Sequence, residues 1–104
     1  MEFNPADSQL RINVAASGDT ALVAAATGKR IKVHALRLSA AGAVVVQIKD
    51  GSTVLETFNF PAAGTMPPLE LRHAPYYTGT TNTVLNINLS GAVQVDGRLE
   101  YTVA

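Results

Sequence analysis

Cysteine and tryptophan are absent from this chain of 104 residues, histidine occurs twice, and the formal net charge is zero. Without cysteine there is no disulfide framework, no thiolate nucleophile and no zinc site of the cysteine kind. Eight basic side chains balance eight acidic ones, which argues against a nucleic-acid partner, since that affinity rests on clustered Lys and Arg. The apolar runs, such as residues 21–26, fall far short of the ~20 residues a membrane helix needs, so no membrane partner is expected. The opening Met1-Glu2-Phe3-Asn4-Pro5 carries neither the basic head nor the apolar stretch of a secretory signal.

What is present is small and β-forming. Hydrophobic residues make up 47% of the chain, yet only three Phe and three Tyr are among them. Each large aromatic buries about 150–250 Å², so the core must be assembled from Val, Leu, Ile and Ala. The length suits one domain. Domains of this size bury a modest share of their surface, and association with a partner adds directly to the stability of the folded form. An oligomer, or docking onto a larger assembly, is therefore expected.

Period-2 alternation predicts strand after strand. Leu85, Ile87 and Leu89 oppose Asn86, Asn88 and Ser90, and Val93, Val95, Leu99, Tyr101 and Val103 oppose Gln94, Asp96, Arg98, Glu100 and Thr102. Ser90-Gly91 is read as the turn of a hairpin between them, and Gly97 as lying within one long, bent strand. Val44, Val46 and Ile48 lead into Asp50-Gly51, a type I′ turn signal, and residues 52–60 return. Residues 30–40 change phase, with Ile31 and Val33 on one parity and Leu36 and Leu38 on the other, the mark of a bulge or of burial on both faces. Residues 11–16 and 20–26 read as shorter strands, although the alanines of 21–26 also suit a helical turn. Prolines interrupt residues 61–83, leaving a short strand at 69–72. The expected fold is all-β: a jelly-roll-like two-sheet sandwich of about eight strands spanning residues 11–104, with a polar N-terminal arm over residues 1–10.

Chemistry is sparse. His34 and His73 have no metal-ligand spacing around them and read as edge or surface histidines. The acids are scattered singly, and no glycine-rich phosphate loop is present. No catalytic residue, cofactor site or metal site is assigned, and the chain is read as no enzyme. Lys29, Arg30 and Lys32 form one basic cluster. It suits phosphate or an acidic patch on a partner, although charges entering an exposed strand more often protect an edge against stray pairing. Pro75-Tyr76-Tyr77 offers tyrosines of the kind that anchor interfaces, or a cap folded back on the core.

The strand Arg30-Ile31-Lys32-Val33-His34-Ala35-Leu36, the Asp50-Gly51-Ser52 hairpin, the proline-rich break, Leu85-Asn86-Ile87-Asn88-Leu89-Ser90 and Gly97-Arg98-Leu99-Glu100-Tyr101 together resemble small all-β virion proteins of tailed bacteriophages. More narrowly they resemble capsid decoration, or cement, proteins. The resemblance covers residues 30–103. It implies a non-enzymatic protein on the capsid surface of the virion, made in the host cytoplasm. Its partners would be the major capsid protein and other copies of itself, a homotrimer before a homodimer. The contact residues expected on this reading are Phe3 in the arm, Lys29, Arg30 and Lys32, and Tyr76 and Tyr77. The alternative is a tail-fibre or carbohydrate-binding module that uses the Tyr76-Tyr77 loop for stacking.

Overall fold

The computed structural model describes residues 8–66, the backbone of 69–70, and residues 77–104. Ten strands are present among them: β1 (Ser8–Val14), β2 (Gly18–Val23), β3 (Ile31–Ala40), β4 (Val44–Asp50), β5 (Thr53–Phe60), β6 (Gly64–Thr65), β7 (Leu69–Glu70), β8 (Tyr77–Thr78), β9 (Leu85–Leu89) and β10 (Val95–Val103). No helix occurs among the described residues. Sheet I runs β1-β10-β3, with the short β6, β7 and β8 all paired along the outer side of β3, and sheet II runs β2-β9-β4-β5. Every pairing is antiparallel.

This order is that of a jelly roll. β1 and β2 lie in opposite sheets and pair with β10 and β9, which in turn pair with β3 and β4. The chain thus behaves as one long antiparallel ribbon wrapped around itself. Among the described strands, β4 and β5 alone form a hairpin within one sheet. The hairpin expected between β9 and β10 is instead a crossing between sheets. Ser90 is held by β4, its amide donating to the Val45 carbonyl, and the Gln94 carbonyl accepts from Ala41. Period 2 defines a strand's two faces but not its neighbour, which is why the alternation was legible and the connection was not.

The alternating apolar positions meet between the sheets. Ile12, Leu36, Leu38, Val95 and Leu99 of sheet I face Val46, Ile48, Leu85, Ile87 and Leu89 of sheet II, all buried. Phe60 is the only aromatic side chain buried among the described residues, as the composition anticipated. Deleting one of these branched side chains to Ala costs about 2–5 kcal/mol, the sum of lost transfer energy and the cavity left behind.

Several local details differ from expectation. Ser8 already pairs, opposite Tyr101, so residues 8–10 belong to the sheet rather than to the arm, and Leu10 packs on the core. β2 ends at Val23, leaving residues 24–26 neither strand nor helix. The β4–β5 turn has Gly51 and Ser52 at its centre, because Asp50 pairs with Thr53. Positive φ occurs there at Gly51 alone, the pattern of a type II′ turn rather than I′.

The phase change in β3 is a bulge at His34. Ala35 pairs with Glu100 and Val33 with Tyr101, leaving His34 as the extra residue. Far from an edge or surface position, His34 is 5% exposed. Its Nε2 lies 3.1 Å from the Thr102 hydroxyl, while Nδ1 has no partner among the described residues. Gly97 is required by close approach: a Cβ built there would stand 1.8 Å from the Arg37 carbonyl oxygen. β10 runs through it unbroken.

Candidate functional site

The wrapping brings three segments to one end of the sandwich: the β2–β3 loop at residues 24–30, the β4–β5 turn, and the β8–β9 loop at 79–84. Backbone bonds tie the first and third together. The Asn82 amide donates to the Lys29 carbonyl at 3.0 Å, and the Gly79 amide to the Ile31 carbonyl at 2.9 Å. Asn82 takes the left-handed conformation (φ 62°), which Asn tolerates better than most residues, and its Oδ1 accepts from the Gly28 amide at 2.5 Å. The Arg30 Nε donates to the Thr81 hydroxyl at 3.2 Å. Arg30 and Ala104 exchange both backbone bonds, at 2.8 and 3.0 Å, so the final residue closes the same end.

Asp50 organises the rest. Its Oδ2 accepts from the Thr80 amide at 3.0 Å and from the Thr80 hydroxyl at 2.9 Å. Asn86 Nδ2 donates to the Gly51 carbonyl at 3.0 Å, and the Gly51 amide donates to Val84. Loops usually carry unsatisfied backbone groups to water. Here side chains and neighbouring backbone hold them in one arrangement.

Lys29 and Arg30 are exposed on this end, and Lys32 is half-buried on the outer face of sheet I, opposite Thr102 on one side and Thr78 on the other. Since β3 is paired on both sides, the cluster does not guard a sheet edge, and that reading falls away. Tyr77 joins the same region through its pairing with Val33. Its ring packs on the core and its hydroxyl donates to Glu56 Oε1 of β5 at 2.9 Å, bridging the two sheets. Tyr77 therefore caps the core, and a stacking platform would have to rest on Tyr76. Phe3 and Tyr76 lie outside the described residues, as do Pro67, Pro68 and His73.

The strand pairing also assembles groups that the sequence reading did not single out. On the outer face of sheet II, Lys49 Nζ meets Asp19 Oδ1 at 3.2 Å, and Asn88 Nδ2 donates to the same oxygen at 2.7 Å. The Asn88 hydrogen bond foremost, and Lys49 with it, hold the Asp19 carboxyl below its ordinary range. On the outer face of sheet I, Arg11, Arg98 and Arg37 come into register. Each of these residues occupies a polar parity position, a signal visible in the sequence, but their meeting requires the strand order.

Among the described residues no group of three or more His, Asp or Glu side chains is placed to hold a metal ion. No helix there is long and apolar enough to cross a membrane. No protein-family model matches this chain, and no curated protein matches it.

Proposed function

We propose that the chain is a non-enzymatic structural protein of a tailed-phage virion, a capsid decoration protein that oligomerises on the head shell and braces contacts between capsid subunits. The reading draws on the resemblance of residues 30–103 to such proteins and on the jelly-roll sandwich. The observation that carries it is the pre-ordered end where Lys29 and Arg30 sit against the 79–84 loop, tied by the backbone bonds of Lys29 and Ile31 and the Arg30–Thr81 side-chain bond, with Lys32 beside them opposite Thr78. A surface already fixed in its binding shape loses little entropy on docking. Cations on such a surface steer it to an acidic partner and set its register there.

The mechanism is geometric. Each copy touches more than one capsid subunit, so separating those subunits requires its contacts to break too, and several modest contacts multiply. The partners are the major capsid protein and further copies of the chain, as a homotrimer before a homodimer, and the working location is the capsid surface. Purified protein mixed with expanded capsids of its own phage is expected to co-sediment and to raise the temperature at which the shells open. Capsids that neither retain the protein nor gain heat resistance overturn the proposal.

A further inference from the structure

Three of the chain's five arginines stand side by side on three adjacent strands of sheet I. Arg11 of β1 is directly opposite Arg98 of β10, and Arg98 is directly opposite Arg37 of β3. Directly opposed side chains on one face have Cβ atoms about 4.5–5.5 Å apart, where like charges destabilise the pair. The fold offers little in return. Arg11 has a loose, exposed contact to Asp96 at 3.7 Å, and Arg98 donates to the neutral Gln9 side chain. Arg37 has no hydrogen bond or ion pair among the described residues. These residues border an open hollow of about 370 Å³, whose remaining lining includes Ser39, Thr65, Asp96 and the bare backbone at Gly97.

We propose that this row is a binding site for carboxylates of a partner protein, an acidic segment laid across the outer face of sheet I. The guanidinium fork matches a carboxylate with two parallel hydrogen bonds. The row is two strand spacings wide, about 10 Å. Carboxylates at alternate positions of an extended segment stand about 6.6 Å apart, so two fit along the row, each shared between neighbouring guanidiniums. A nucleic-acid backbone fits poorly. Asp96 and Glu100 flank Arg98 along β10 on the same face, about 13 Å apart, so a single extended segment passes between them along the row, whereas the broader backbone of a duplex meets both carboxylates. The inference stands apart from the decoration reading. The row lies five positions along β3 from Lys32, on other residues of the same sheet face, and its test uses no capsid, so either can fail alone.

The test is an NMR titration of the full chain that follows the arginine Nε–H signals. Hexaglutamate peptide, inorganic phosphate and a DNA duplex of twelve base pairs serve as probes at equal ionic strength. The expected result is saturable shifts at Arg11, Arg37 and Arg98 with the peptide, which binds more tightly than either other probe. Arg37→Gln should weaken the peptide about tenfold, the loss of one charge-assisted contact. Its melting temperature should stay at or above that of the native chain, which separates lost binding from lost folding. Lys49→Gln removes the same charge from the opposite sheet and should leave peptide affinity unchanged. Equal weakening by both substitutions, tighter binding of phosphate or duplex, or unshifted arginine signals overturns the proposal.

Discussion

The outer faces of the two sheets treat charge in opposite ways. On sheet II, Lys49 reaches across to Asp19, Asn88 supports the same carboxylate, and Gln47 contacts Thr57. Unlike groups meet, and cross-strand pairing accounts for each of them. On sheet I, three arginines are aligned in register, and the third has no partner among the described residues. Both faces ride on the same Val, Leu and Ile core, so neither composition nor core packing explains the difference. Among the described residues the fold rewards this charge pattern little, and the proposed acidic segment is what would complete it.

The largest effect expected from breaking this contrast is at Gly97, the narrowest point of sheet I. Gly97→Ala sets a methyl group against the Arg37 carbonyl, forces β10 away from β3 and destabilises by about 3 kcal/mol, as overpacking does. Gly91→Ala, where a Cβ meets nothing within 4 Å, should leave urea unfolding almost unmoved. Next comes the bridge between the sheets. Tyr77→Phe strands the Glu56 carboxylate and costs about 1–2 kcal/mol, measurable in the same unfolding curves. Smaller still is Arg37→Gln, which relieves a like-charge neighbour and stabilises by about 0.5 kcal/mol or less, an increase that shrinks at high salt.

The smallest effect is on sheet II. The Asp19 carboxyl has its folded pKa lowered by Asn88 and Lys49. Its contribution is therefore present at neutral pH, above the unfolded value, and is lost as pH falls through the carboxylate range. Asp19→Asn should slightly flatten the acid limb of stability against pH, detectable as a smaller drop in urea midpoint on acidification. An acid limb identical to that of the native chain would show that the exposed pair does nothing.

How far the sequence could be read follows the same division between local and distant information. β9 and β10 were legible because Leu85-Asn86-Ile87 and its continuation alternate, with Gly97 the one apolar-parity position in β10 that carries no side chain. The phase slip in β3 pointed to a bulge or to burial on both faces, but not to His34 as the bulged residue, since that depends on Glu100 and Tyr101 across the sheet. Ser8–Leu10 looked like an arm because its partner strand lies at the other end of the chain. Lys29, Arg30 and Lys32 were legible as a cluster because they are adjacent. The arginine row was not, because Arg11, Arg37 and Arg98 meet only through the strand order β1-β10-β3.

Lysine acylation read by mass spectrometry, on protein free and bound to expanded capsids, addresses the docking surface most directly. The account predicts that Lys29 and Lys32 lose reactivity on binding while Lys49, on the opposite sheet, keeps its own. Unchanged reactivity at Lys29 and Lys32, or protection confined to Lys49, would contradict it.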